Sequence, residues 1–138
     1  MKKLLLLPLT ALLLSGCADK ANYETAVLNE LQRDTKTAES RDYKVPPEKM
    51  ATCIVETSSQ KMPGVFGLDP ARLTAYRNYT KMLTLAESKD PKKTMEELQS
   101  DFGSGKELMA ARSNYTESEL ECLSTFVMSA EEPAPAEK

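Results

Sequence analysis
Residues 69–87, DPARLTAYRNYTKMLTLAE, decide the fold class. Asp69 followed by Pro70 is a helix-start signal. A carboxylate there accepts from free backbone N–H groups of the first turn, and proline at the first helical position lacks a donor that would go unused. Leu73, Ala75, Tyr76, Tyr79, Met82, Leu83 and Ala86 then recur at helical spacing and cover nearly half of the circumference, which predicts a central helix over 70–87. Asp90-Pro91 repeats the start signal ahead of Met95, Leu98 and Phe102, a short helix that Gly103 can terminate before a flexible break at 103–105. Upstream, Pro47 opens a helix over 47–60 whose inward stripe is Met50, Cys53, Ile54 and Thr57. Tyr23, Val27, Leu28 and Leu31 set a first helix over 20–38, ending in the polar stretch 39–44. Downstream, Leu108, Met109 and Ala111 mark a short helix over 107–113. Thr116 and Glu119 have capping-box spacing ahead of a last helix over 117–130, with Leu120, Leu123, Val127 and Ala130 on one face and Cys122 and Phe126 at its edge. After residue 16 the chain holds five valines and one isoleucine against ten leucines, thirteen alanines and six methionines, a choice that favours helix over strand. The expected fold is all-α, a small bundle of about five or six helices.

The N-terminus reads as an export signal. Met1-Lys2-Lys3 is a positive n-region, and the apolar run 4–14 contains Pro8 and is shorter than the ~20 residues of a spanning helix. The run ends in Leu14-Ser15-Gly16-Cys17, which resembles the lipobox of bacterial lipoproteins. That resemblance covers only residues 1–17. It implies cleavage before Cys17 and attachment of three acyl chains there, and at ~0.8 kcal/mol per buried CH₂ such an anchor is effectively permanent. It also implies an outer-membrane site on the periplasmic face, because the residue after the cysteine is Ala18 and not the aspartate that retains such proteins at the inner membrane. The expected organisation is a signal peptide at 1–16, a lipidated end and short linker at 17–19, a helical domain at 20–130 and a disordered tail at 131–138.

Composition narrows the function. Removal of sixteen residues leaves 122, enough for one core, and 46 of those are apolar, which makes a large buried cofactor cavity improbable; no cofactor is expected. Loss of Lys2 and Lys3 takes 18 cations against 21 anions to 16 against 21, a net charge of −5. That argues against nucleic acid as partner, since phosphate binding needs clustered lysine and arginine. The absence of histidine excludes imidazole-based triads and most transition-metal sites.

With Cys17 committed to lipid, Cys53 and Cys122 are an even pair in an oxidising compartment, read as a disulfide across 69 positions. A crosslink of that span contributes roughly 4 kcal/mol by chain-entropy arguments. There is no C-x-x-C and no neighbouring basic residue to activate a thiol.

Motifs that suggest chemistry have simpler readings. Ser58-Ser59-Gln60-Lys61 fits S-x-x-K, but its companion motifs are absent, and a helix end explains it. Glu117 with Glu121, and Glu96-Glu97 near Asp101, read as solvated acidic faces and not metal ligands. Gly103-Ser104-Gly105-Lys106 lacks P-loop spacing. The most informative segment is 61–68, whose Pro63, Gly64 and Gly67 make it a loop while Met62, Val65, Phe66 and Leu68 make it apolar. These four either plug the end of the bundle or form an exposed surface for a partner segment.

The first functional expectation is a non-enzymatic, lipid-anchored adaptor or accessory factor of an envelope assembly, held to the membrane by its anchor and seating an amphipathic segment of an envelope protein between helices. In size, lipobox, helical content and one long-range disulfide the chain looks like the helical pilotins that escort secretin subunits, a likeness that transfers no binding residues. The alternative is a periplasmic inhibitor or immunity protein against a cell-wall hydrolase. Thr52-Cys53-Ile54 and Glu121-Cys122-Leu123 are loosely similar to small helical immunity proteins against type VI amidases, and the acidic balance suits a basic target.

Overall fold
The computed structural model describes residues 7–37 and 45–131. Among the described residues, five α-helices and one 3-10 turn make up the regular structure: α1 (Leu7–Thr37), α2 (Pro47–Ser59), α3 (Pro70–Leu83), the turn Leu85–Glu87, α4 (Pro91–Asp101) and α5 (Gly105–Glu131). The protein is an all-α, disulfide-clamped bundle. None of the described helices is long and apolar enough to cross a membrane.

The start signals act as their chemistry requires. Asp69 caps α3 by accepting from the Ala71 N–H at 2.9 Å, and Asp90 caps α4 by accepting from the Lys93 N–H at 3.1 Å, each followed by proline. Pro47 opens α2. Gly103 follows α4 with φ +94°, the left-handed conformation that stops a helix most readily at glycine.

Three boundaries differ from the sequence expectations. The first helix begins at Leu7 and passes through 17–19 without interruption, so the short linker expected there is helical. Pro8 sits in its first turn, where a missing N–H breaks nothing. Helix α3 ends at Leu83, not at 87: Thr84 turns its hydroxyl back onto the Thr80 carbonyl at 2.9 Å, and the chain tightens into the 3-10 turn. The expected break before residue 117 is absent and α5 is one helix, so Thr116 and Glu119 are mid-helix residues and not a capping box. No glycine or proline lies between 106 and 131 to stop it. The inward face of α5 is also rotated from expectation. Leu108, Ala111, Tyr115, Ser118 and Cys122 are buried, while Leu120, expected inside, is 61% exposed. Residues 1–6, the polar stretch 38–44 and tail residues 132–138 lie outside the described residues.

Packing follows the order α3, α1, α2, α5. Helix α1 lies against both α2 and α3, and α2 against α5, but α3 and α5 barely touch. The four helices thus form a ring open along one seam. Tyr23 of α1 is fully buried at its centre, stacked on Tyr76 at 5.9 Å between ring centroids and edge-on to Tyr79 at 5.5 Å. Cys53 of α2 and Cys122 of α5 are joined as a disulfide with Cα atoms 6.0 Å apart. Helix α4 bridges one end of the seam, anchored by Leu98, its one buried residue. Lys81 of α3 pairs with Glu97 at 2.9 Å and Asp101 at 2.8 Å to hold it there.

Candidate functional site
The open seam is a cleft of about 980 Å³ between α3 and α5. Its walls carry mostly small side chains: Ala71, Thr74 and Ala75 from α3, and Ala110, Ala111 and Ser113 from α5. Side chains this short leave the space between the two backbones unfilled. Tyr79 and Asn114 form the floor, Phe102 and Asp101 close the α4 end, and Lys61, Pro63 and Pro70 border the other.

The floor belongs to a polar network built into the core. Tyr23 Oη donates to Ser58 Oγ at 2.9 Å, and that hydroxyl in turn donates to the Val55 carbonyl at 3.3 Å. Asn114 Nδ2 donates to the Ser58 carbonyl at 3.0 Å and to Tyr79 Oη at 2.9 Å. The network therefore joins all four helices of the ring. A carbonyl can only accept, so the nitrogen of the Asn114 amide must face Ser58 and the oxygen must face away. Asn114 is 7% exposed and its Oδ1 has no hydrogen-bond partner among the described residues. Burial pushes the Tyr23 phenol well above its ordinary pKa and raises that of Tyr79, so both stay neutral.

The charged rim is mainly acidic. Glu107 and Glu117 stand on the α5 side and Asp101 at the α4 end, against Lys61 as the one lining cation among the described residues. Lys61 Nζ lies 2.7 Å from Glu117 Oε2, and this bond holds the ammonium pKa above its usual value. The Glu107 carboxylate makes no ion pair among the described residues.

The loop at 61–68 divides between the two roles open to it. Met62 is 5% exposed and packs in the core. Its side chain therefore belongs to the core and not to the exposed face of the loop. Val65, Phe66 and Leu68 are 92%, 63% and 45% exposed, so they do not plug the bundle. The loop is nevertheless firmly held. Arg72 donates to the Pro63 carbonyl at 2.8 Å, the Gly64 carbonyl at 2.6 Å and the Met62 carbonyl at 3.2 Å. Asp69 accepts from the Val65 N–H at 3.0 Å. Gly64 adopts φ +94°, and a Cβ there would sit 2.8 Å from Arg72 Cβ. The apolar side chains are thus presented to solvent from a fixed backbone.

The other motifs come apart in space or serve structure. Ser58 is fully buried on Tyr23 whereas Lys61 is exposed on Glu117, so the S-x-x-K pair does not meet. Lys81 neutralises the 97/101 carboxylates, and no cluster of three or more potential metal ligands occurs among the described residues. Ser104 caps α5 by accepting from the Glu107 N–H at 3.1 Å. Sequence reasoning missed Asn114. Its signal was positional: it stands beside Tyr115 within the run of Leu108, Ala111, Ser118 and Cys122, where a polar residue must find partners or a role. No known family model, curated protein or solved structure matches this chain.

Proposed function
We propose that this chain is a lipid-anchored, non-catalytic adaptor of the bacterial envelope, attached through Cys17 at the periplasmic face of the outer membrane, which seats a segment of a partner protein in the α3–α5 cleft. The observation that carries this reading is the unclosed seam itself. A bundle of this size gains by closing on its apolar surface, and here small residues on both walls leave a cleft of about 980 Å³ open to solvent. Val65, Phe66 and Leu68 extend the apolar surface beside the end bordered by Pro63. The lipobox-like ending at Cys17 supports the anchor.

The test is photo-crosslinking in cells from residue 110, with the product identified by mass spectrometry and Cys17 acylation measured on the same material. An envelope-assembly component, lost when Thr74→Trp fills the opposite wall, supports the adaptor. An unacylated Cys17 removes the anchor.

One observation favours a second reading, an inhibitor or immunity protein: a rigid loop that presents Phe66 to solvent has the form of a plug for an enzyme cleft. In that case crosslinks from residue 66, and not from 110, capture a cell-wall hydrolase.

A further inference from the structure
From the floor and rim of the cleft we infer that it is built to receive an arginine side chain of the partner segment. This deepens the adaptor reading and rests on it. Three features converge on that chemistry. Asn114 lines the cleft, and its Oδ1 is a buried acceptor without a partner among the described residues, on a side chain fixed by two bonds from its own nitrogen. Leaving such an atom unsatisfied is costly, and a donor from the cleft that displaces the side chains covering it removes that cost. Of the lining carboxylates Asp101 is paired with Lys81 and Glu117 with Lys61, which leaves Glu107 without an ion pair among the described residues, so an incoming cation is favoured over an anion. The Phe102 ring, partly exposed at the cleft and packed 5.7 Å from that of buried Tyr79 between centroids, offers a π face to a planar cation. A guanidinium satisfies all three at once. It has five donors in a fixed fork, stacks on aromatic rings and is weakly hydrated, whereas an ammonium has a compact, strongly hydrated charge. The small wall residues Thr74 and Ala110 leave the space through which its backbone can approach.

The experiment uses the full chain in detergent micelles and the blocked tetrapeptides acetyl-Ala-Phe-Arg-Ala-amide and its citrulline, lysine and glutamate counterparts, followed by amide NMR shifts. The arginine peptide is expected to bind with Kd on the order of 1 mM or tighter, moving the Asn114 side-chain amide and the Ala111 and Tyr79 signals. Citrulline keeps donors without the charge, and its peptide is expected to bind about tenfold more weakly; the glutamate peptide should leave these signals in place. Asn114→Ala should abolish the preference for arginine. Because that change can also unfold the protein, Ala110→Trp, at an exposed wall position, is the second variant and should weaken binding about tenfold or more. Equal binding of the arginine and glutamate peptides, no shifts up to about 10 mM, or shifts away from the cleft overturn the inference. So does self-association of the chain that Ala110→Trp abolishes, which would put a second copy in the cleft. Arginine-peptide binding without any crosslinked envelope partner would leave the cleft chemistry standing and remove the adaptor.

Discussion

Asn114 on α5 and Tyr79 on α3 are joined across the open seam by a 2.9 Å hydrogen bond, Nδ2 donating to Oη, where their helices otherwise barely meet. The pair is the floor of the cleft and a strut of the fold together. Tyr79→Phe removes one acceptor and should cost about 1 kcal/mol. Asn114→Ala leaves the buried Ser58 carbonyl short of a donor and should cost more, about 2–3 kcal/mol. Urea unfolding of both single variants and the double variant checks this, with the double expected to fall short of the sum because the two share a bond.

Continuity of α5 can be tested at Thr116. As an N-cap, Thr116→Ala would cost about 1 kcal/mol; in the exposed interior of a helix, where the structure places it, the change should be neutral or stabilise by a few tenths of a kcal/mol. The chemical-denaturation midpoint distinguishes the two by sign.

Presentation of Phe66 depends on the clamp beneath it. Phe66→Ser should leave the melting temperature nearly unchanged, since the ring is exposed. Gly64→Ala should lower it, at a cost of about 1–3 kcal/mol, through the positive φ and the approach to Arg72. Thermal melts of the two variants side by side test whether the backbone and not the aromatic side chain carries the stability of the loop.

Acid should loosen that loop first. The N–H groups of Val65 and then Ala71 hold the Asp69 carboxyl below its usual pKa. A carboxyl depressed on folding contributes stability that is present above its ordinary value of about 4 and is lost as pH falls through the lower folded value. Amide exchange at Val65 should therefore rise below about pH 4 in the parent chain. In Asp69→Asn the exchange should be faster already at pH 7 and lack that acid step.

Cleaving the sulfur bridge should be felt throughout the bundle. Cys53→Ser with Cys122→Ser should lower stability by about 2–4 kcal/mol, read as a shift in urea midpoint. The helical circular dichroism signal should persist below the transition.

Much of this was legible in the sequence, and the exceptions share a cause. The aspartate-proline pairs at 69–70 and 90–91 act through their immediate neighbours, so the starts of α3 and α4 could be read locally. The disulfide could be read because, of the three cysteines, Cys53 and Cys122 are the pair that remains once Cys17 is read as the lipid site. The face of α5 could not. Periodicity scores Leu120 as core, but the seat nearest Ser58 and Tyr79 goes to Asn114, the residue that hydrogen-bonds them, and Leu120 is left exposed. The cleft was illegible for a related reason: alanine favours a helix whether or not another helix covers it, so Ala71, Ala75, Ala110 and Ala111 carry no mark of the gap between them.

Helix α1 runs unbroken from Leu7, and Asp19 is already tied to Arg77 of α3. A protein tethered at Cys17 in the way proposed has no leash: the bundle begins within one helical turn of its acyl chains, at ~1.5 Å per residue. It would stand on the bilayer and not sweep the space around it. Its occupant would have to be brought to the membrane surface, and a flexible insert placed after Ala18 would widen the domain's reach while loosening its hold on orientation.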